Sequence, residues 1–471
     1  MPARSSVNQY GDLTFDPHKF PDARGMVSRL GALGFTVTLW VTPFASLTSD
    51  AYAEGAAAGH WVRDTASGAP AVITWWQGDG VLLDLSSASA CSWLEGRLRR
   101  LMDTVGIDGY KFDAGEACFV PPGSGFDANA YAGEWARFAA RFGGSGEVRC
   151  AAASQDAGLW LRAFDKDSSW GRNNGLRSMV ITALHHGLLG YPFVLPDMVG
   201  GNAYSAAMMV EDVSEHASEH ASEHASEYAD EAIDGKAASG DGVVDEDAPQ
   251  GEPGASTAAL TVPVADADAP QGEPGASTAA ALTVPVADAA VGAPATEGFA
   301  AFKEEGFVAS SLFHGSLPDR ELYIRWAFAT ALLPAVQFSI APWQYDEEAT
   351  EACRKALDLR ARHLPLLEAL ALNAIASGEP LVRPLWWHDP HDADCLQADD
   401  EFLLGEALLV APILEPAARA RRLYLPNGRW EGRKGRVHVG PVWVEDYPVA
   451  LDELATFRLL PDDALRGSAT A

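Results

Sequence analysis

The sequence is poor in positive charge and in cysteine. Its 471 residues carry 34 Lys and Arg against 65 Asp and Glu, a net charge of −31. Nucleic-acid-binding proteins usually show a basic footprint, and anionic membrane surfaces repel acidic chains, so neither partner is expected. The five cysteines lie far apart with no CxxC motif, which argues against a zinc knuckle or a disulfide framework.

Other signals are missing as well. No apolar signal-peptide run follows Met1, and no GxGxxG or GxxxxGK[ST] motif follows a predicted strand. Two uncharged stretches, 178–196 and 326–345, contain proline and polar side chains. We therefore expect buried elements of a folded domain there and predict no membrane segment.

Residues 1–204 alternate between helical and apolar stretches. Ala23–Leu33 fits a helix, and six short apolar runs fit buried parallel strands: 35–44, 80–85, 106–115, 147–154, 159–165 and 191–197. Most of these runs end in a polar or acidic residue. A (β/α) barrel places its chemistry at such strand ends, although an open doubly wound sheet would give a similar pattern.

Residues 205–317 have a different composition. SEHASEHASEHASEYA repeats every four residues from Ser214, and a 21-residue unit starting at Asp247 recurs from Asp268. This segment is predicted to be a disordered acidic insertion, because it has too little apolar surface to offset chain entropy. His216, His220 and His224 could line one helix face as a metal site, but low-complexity expansion is the preferred interpretation.

Regular patterns resume at residue 318. The pattern of residues 318–380 predicts a helix that leads into a last barrel strand. It predicts a second helix over Glu351–Ser377. Residues 381–471 contain short strands separated by Gly, Pro and Asn turns, which predicts a small all-β C-terminal domain.

Two segments carry candidate catalytic carboxylates. GIDGYKFDAGE delivers Asp113 and Glu116 at a strand end, where Asp113 could be a nucleophile or could cap the next helix. RAFDKDSSW offers Asp165 and Asp167 beside Trp170, and an aromatic wall would favour a protonated acid. Glycoside hydrolysis uses two such carboxyl groups. Tryptophans near strand ends suit sugar faces, although most tryptophans serve core packing.

An ordered set of motifs makes the sequence resemble glycoside hydrolase family 31, most closely its myogenesis-regulating glycosidase branch. The motifs include YGDLTFDPHKFPD, WWQGDGVLLDL, GIDGYKFDAGE, FDKDSSW, GLLGYPFVLPDMVGGNAY, GEPLVRPLWW and DEFLLGEALLVAPIL. The resemblance implies a (β/α)8 TIM barrel, β-rich C-terminal domains and retaining hydrolysis of terminal α-glycosides, with α-galactoside favoured over α-glucoside. It implies no metal or organic cofactor, and a lumenal or extracellular location.

The resemblance also assigns residue roles. Asp113 matches the nucleophile and Asp165 the acid/base, with Asp167 held in reserve for the acid/base role. The implied sugar-binding residues are Arg149, Trp76 and Asp197, to which the aromatic pattern adds Trp40 and Trp170. Retention requires the two catalytic carboxyl groups to lie about 5–5.5 Å apart.

One departure from the family keeps alternatives open. Family members have a β-sandwich and a first barrel strand before YGDLTFDP, whereas only nine residues precede Tyr10 here. Loss of that strand would leave an open sheet edge. The alternatives are therefore an impaired or truncated relative that binds glycans or proteins, and a barrel enzyme of another chemistry using Lys111. The oligomeric state is left open, with a homodimer among the alternatives.

Overall fold

A computed structural model describes residues 10–144, 146–203 and 317–461. All of them belong to one compact unit, which is formed by the parts of the chain before and after the central segment. The predicted insertion, with its three spaced histidines, lies outside the described residues except for Leu317. Within the described ranges, no helix is both long enough and apolar enough to cross a membrane.

The central element is a parallel sheet of five strands in the order β1-β5-β6-β7-β8. Its strands are β1 (Thr38–Val41), β5 (Gly109–Phe112), β6 (Glu147–Val148), β7 (Trp160–Arg162) and β8 (Val194–Leu195). Val41 pairs with Phe112, which pairs in turn with Val148. After β8, a single parallel bridge joins Met198 to Gln337. The α/β class is confirmed. In the described part of the chain the sheet has five strands plus this bridge, with β1 at one edge.

The prediction that residues 80–85 form a strand of the parallel sheet is wrong. β4 (Gly78–Leu82) instead belongs to an antiparallel sheet, between β2 (Phe44–Ser46) and β3 (Val72–Trp75). Burial explains the error, because an apolar run reports that a strand is covered but not which strands flank it. β3 and β4 form a hairpin, with Trp75 paired to Gly78, so Trp76 lies in its two-residue turn.

Seven of the helices in the described ranges have nine or more residues, and a side chain caps the N-terminus of each except Leu176–Leu188. They are Ala23–Ala32, Asp50–Ala58, Ala88–Val105, Ala128–Ala140, Leu176–Leu188, Arg320–Thr330 and Glu347–Ser377. The last begins four residues before its predicted start, because the Asp346 side chain accepts a 2.7 Å hydrogen bond from the Ala349 N–H. The helix Arg320–Thr330 is buried from Leu322 to its end. The sequence predicted a last barrel strand after this helix. In the described residues that follow the helix, Gln337 forms a single parallel bridge with Met198 in place of a full strand.

The C-terminal part contains an antiparallel sheet of six strands in the order β13-β12-β14-β11-β10-β9. The strands are β9 (Val382–Arg383), β10 (Phe402–Leu404), β11 (Leu408–Ala411), β12 (Ala420–Glu431), β13 (Val437–Pro448) and β14 (Ala455–Leu460). Its core includes Leu423, Trp430 and Phe457. One short helix, Ala393–Gln397, accompanies the strands. A β-rich C-terminal part was predicted from the turn-rich sequence after residue 381.

Candidate active site

Asp113 directly follows the buried strand β5. Its side chain is almost completely buried. The chain then turns sharply, with φ of 60° at Ala114 and 90° at Gly115. A Cβ at residue 115 would lie 2.4 Å from Cδ1 of Trp135, so only glycine fits there. Trp135 Nε1 also donates to the Asp113 carbonyl at 3.1 Å, which fixes the backbone behind the carboxylate.

Three donors converge on the Asp113 carboxylate. Trp40 Nε1 donates to Oδ2 at 2.5 Å, and the Ala114 N–H donates to Oδ1 at 3.0 Å. Arg149 Nε lies 3.1 Å from Oδ1. Donors on both oxygens fix the orientation of the carboxyl group. The arrangement therefore presents a fixed carboxyl oxygen at the end of a parallel strand.

Arg149 connects Asp113 to Glu116 and to two aromatic rings. Its Nε lies 2.6 Å from Glu116 Oε1, and its guanidinium carbon lies 5.0 Å from the Trp76 ring and 5.5 Å from the Phe164 ring. Burial opposes the charge, but the hydrogen bond to Glu116 and the nearby carboxylates raise the pKa of Arg149 above its ordinary value. Arg149 therefore stays cationic beside the carboxylates.

Asp165 lies on the loop after β7 and forms an ion pair with Arg162 Nη1. Its side chain is 27% exposed, so it is accessible from solvent. The Asp165 carbonyl accepts a 2.7 Å hydrogen bond from Asn174 Nδ2, which holds the loop in place. Asp165 also acts electrostatically on Arg149, so the loops after β5, β6 and β7 meet at one site.

Asp197 lies behind this site. It was expected to line the sugar pocket, but its side chain is fully buried. Its Oδ1 pairs with Arg162 Nη2, and its Oδ2 accepts a 2.6 Å hydrogen bond from the Lys166 N–H. Burial raises the pKa of Asp197 to about 6, and Arg162 opposes that rise. Asp197 therefore contacts Arg162 instead of open pocket space.

The other predicted residues take different places. Trp40 and Trp76 are both partly exposed beside Asp113 and Arg149, whereas Trp170 packs against the apolar core. Asp167 takes part in a backbone turn, where its carbonyl accepts a 2.7 Å bond from the Ser169 N–H. Lys111 Nζ lies 3.7 Å from Glu147 Oε1, so this lysine is paired with a carboxylate.

Two residues of the candidate site, Arg162 and Phe164, were not predicted from the sequence. Arg162 was included in the apolar run 159–165 as an ordinary strand residue, and Phe164 was not selected among the aromatics. The available signal was the arginine itself, because a charged residue inside a buried strand needs a partner. No group of three or more His, Cys, Asp or Glu residues able to hold a metal ion occurs in the described ranges.

Two family models match the chain. "Glycosyl hydrolases family 31 TIM-barrel domain" covers residues 4–139, and "Glycosyl hydrolase family 31 C-terminal domain" covers residues 378–457. The mouse (Mus musculus) myogenesis-regulating glycosidase is 35% identical over 457 residues, which is 95% of this chain and 49% of that protein. Human (Homo sapiens) neutral alpha-glucosidase C is 33% identical over 150 residues, 30% of this chain and 16% of that protein.

Solved structures give a matching fold. A family 31 sulfoquinovosidase from E. rectale aligns with a TM-score of 0.66 at 17% identity, covering 97% of this chain and 55% of that one. A Flavobacterium johnsoniae family 31 dextranase gives 0.65 at 17% identity, covering 96% and 46%. The chain thus spans about half the length of the mouse relative and of these structures, and a smaller share of the human one. The predicted resemblance is confirmed.

Proposed function

Because this chain belongs to glycoside hydrolase family 31, we propose that it is a retaining glycosidase that cleaves terminal α-linked sugars through a covalent glycosyl-enzyme. The observation that carries the proposal is the Asp113 carboxylate, held by Trp40, Arg149 and the Ala114 N–H at the end of β5. A fixed, ionised carboxylate at that place is suited to nucleophilic attack.

In the first step, an oxygen of Asp113 attacks the anomeric carbon while the bond to the leaving oxygen breaks. Asp165 gives its proton to that oxygen, so the aglycone leaves as a neutral alcohol. In the second step, Asp165 takes a proton from water as the water oxygen attacks the same carbon and releases Asp113. The accessible position of Asp165 supports this role, since it must reach both the leaving group and water.

Arg149 and the aromatic rings around it form the sugar-binding surface in this proposal. Trp40, Trp76 and Phe164 are 40%, 47% and 61% exposed, so each ring keeps surface that a ligand can reach, although Arg149 lies against the rings of Trp76 and Phe164. Such rings suit the apolar C–H faces of a pyranose. Arg149 would donate hydrogen bonds to hydroxyl groups while holding Asp113 in place.

The preferred sugar is an α-galactoside, as the sequence resemblance implies. The relatives named neutral alpha-glucosidase C and 1,3-alpha-isomaltosidase, with 33% identity over shorter segments, make α-glucoside the competing substrate. The two sugars differ only at the axial or equatorial hydroxyl on carbon 4. Direct competition between the two substrates therefore decides the preference.

The test is hydrolysis of p-nitrophenyl α-galactoside and α-glucoside by the full chain and by Asp113→Asn. The substitution removes the nucleophile with little change in volume, so turnover should be lost while the melting temperature is kept. NMR of the first-formed sugar should show the α anomer. A β anomer, or near-normal turnover by the variant, would overturn the proposal.

A glycan-binding protein without turnover is the second candidate. It is favoured by the position of β1, which lies at the edge of the parallel sheet in the described part of the chain and carries the partly exposed Trp40. Calorimetric titration with galactose and glucose separates the two candidates. Sugar binding by a folded chain that hydrolyses neither substrate would establish this alternative.

A further inference from the structure

Arg162 lies between two carboxylates that come from different loops. Its side chain is 2% exposed, with Nη1 paired to Asp165 Oδ1 and Nη2 paired to Asp197 Oδ1. The single positive charge of Arg162 is therefore shared between the carboxyl groups of Asp165 and Asp197. Arg162 is too deeply buried to touch a sugar, so it acts on the reaction through neighbouring carboxylates, of which it contacts Asp165 directly and Asp113 only at longer range.

The two carboxylates are held very differently. Asp197 is completely buried at a φ of 82°, and its second oxygen accepts the Lys166 N–H. Lys166 Nζ in turn donates to Ser178 Oγ at 3.0 Å and to Thr182 Oγ1 at 2.9 Å. Breaking a buried ion pair is costly, so Arg162 stays with Asp197. Asp165, at 27% exposure, is the one of the two carboxylates that solvent and a ligand can reach.

We propose that Arg162 and Asp197 form a positioning pair that sets the charge state of Asp165. Arg162 favours the ionised carboxylate, and Asp197 offsets part of the arginine charge so that Asp165 can still accept a proton. A retaining cycle needs both states, because the same group is acid in the first step and base in the second. The inference rests on the proposed function, in which Asp165 is the acid/base.

Other charges also face Asp165 and have to be kept constant in a test. Arg149 attracts it from the loop after β6, and Asp113 faces the same arginines from the end of β5. Lys166 and Asp167 flank it along the chain. The Lys111–Glu147 pair lies between the neighbouring strands β5 and β6. Substitutions confined to Arg162 and Asp197 leave all of these groups unchanged.

The test is the pH profile of kcat/KM for the full chain with opposing variants. Asp197→Asn removes the carboxylate that offsets part of the Arg162 charge, so the pKa of Asp165 should fall. The alkaline limb of the profile should then move to lower pH by about one unit or more. Arg162→Gln removes that charge, so the limb should move to higher pH. The double variant removes both charges and should return the limb towards its original position. Loss of activity with an unmoved limb, or movement of both single variants in one direction, would overturn the proposal.

Two further variants separate charge from folding. Arg162→Lys keeps the positive charge and should keep the limb within a few tenths of a pH unit of its original position. Arg422→Gln removes an arginine whose partner, Glu445, lies in the C-terminal sheet, and should leave the profile unchanged. A displaced limb in either variant would contradict the assigned role of the Arg162 charge.

A direct titration distinguishes this inference from the proposed function. In protein labelled with ¹³C at aspartate carboxyl carbons, the Asp165 signal is identified by its loss in Asp165→Asn. Its midpoint should fall in Asp197→Asn and rise in Arg162→Gln, even if no glycoside is hydrolysed. Absence of hydrolysis would defeat the proposed function alone, whereas unmoved midpoints would defeat the positioning pair.

Discussion

Trp40 and Asp113 meet across the first pair of parallel strands, where the indole Nε1 donates a 2.5 Å hydrogen bond to Oδ2. The pairing of Val41 with Phe112 sets this contact, because it brings Trp40 and Asp113 to the same end of adjacent strands. The tryptophan thus helps to fix the carboxylate as well as presenting a ring face.

Trp40→Phe should therefore lower kcat. The ring stays, but the hydrogen bond to a charged group is lost, which costs about 1.5–3 kcal/mol. Because that bond holds the attacking carboxylate in position, kcat should fall roughly 10- to 150-fold when it is lost, with about 1.4 kcal/mol corresponding to tenfold. Steady-state kinetics on an aryl α-glycoside measures the effect. Trp387→Phe, in the C-terminal part of the chain, is the matched control, and an equal loss there would contradict the assignment.

Asp165→Asn and Asp167→Asn should behave differently. Asp165 pairs with Arg162 and acts on Arg149, whereas the Asp167 backbone forms a turn. Loss of the general acid should slow cleavage of an alkyl glycoside by about 10²- to 10⁴-fold. A dinitrophenyl glycoside needs no protonation, so its bond cleavage should be little affected.

Azide then provides an independent readout of the second step. It needs no general base, so it should restore turnover of the dinitrophenyl substrate by Asp165→Asn and yield an α-glycosyl azide. Asp167→Asn should need no rescue. The opposite pattern would transfer the acid/base role to Asp167.

The site was predictable where local pattern decides the outcome. The apolar runs before Asp113, Asp165 and Asp197 all form strands of one parallel sheet, and each ends near the predicted polar residue. Buried parallel strands are continuously apolar, so single-sequence periodicity detects them. The strands are shorter than predicted, because the runs include the loops that carry the functional groups.

The pattern of apolar residues could not predict which strands pair with each other or which distant residues form ion pairs. The run at 80–85 is as apolar as the others, yet it lies in an antiparallel sheet with β2 and β3. Arg162 could not be assigned a role, because its partner Asp197 is 35 residues away on another strand end. The burial of Asp197 follows from that same contact. Both features depend on which strands become neighbours.

Gly115→Ala should destabilise the protein more than Gly106→Ala. Both glycines have φ near 90°, which costs about 1–2 kcal/mol for alanine. A Cβ at Gly106 meets nothing within 4 Å, whereas at Gly115 it would lie 2.4 Å from Trp135 Cδ1 and 2.9 Å from Cys150 Sγ. Overpacking of this kind adds about 1–3 kcal/mol.

Denaturant unfolding of both variants measures that difference. Gly115→Ala should also lose activity, because Trp135 bonds the Asp113 carbonyl and would have to move. Gly106 is the C-cap of the helix Ala88–Val105 and precedes β5, whereas Asp113 follows the other end of that strand, so the Gly106 variant should keep activity. Equal destabilisation of the two variants would show that the Trp135 contact relaxes without cost.

Glu401 should make stability depend on pH independently of the active site. Its side chain is 1% exposed, and Oε1 accepts a 2.9 Å hydrogen bond from the Tyr424 N–H. Burial raises the pKa of Glu401 from 4.5 to about 7, with Arg421 and the Tyr424 N–H opposing the rise. The folded state therefore holds the Glu401 proton more tightly than the unfolded chain does.

The sign of the effect follows from this difference in proton affinity. The stabilisation from the bound proton is fully present below about pH 4.5 and is lost as pH rises through about 7. Glu401→Gln keeps an acceptor for Tyr424 and carries no charge at any pH. Relative to this variant, the wild-type chain should lose on the order of 3 kcal/mol between pH 5 and pH 8. Urea unfolding of both proteins across that range measures the difference, in which all other titrating groups cancel. A difference that stays constant with pH, or one in which the wild type gains stability, would mean that Arg421 fully compensates the buried charge.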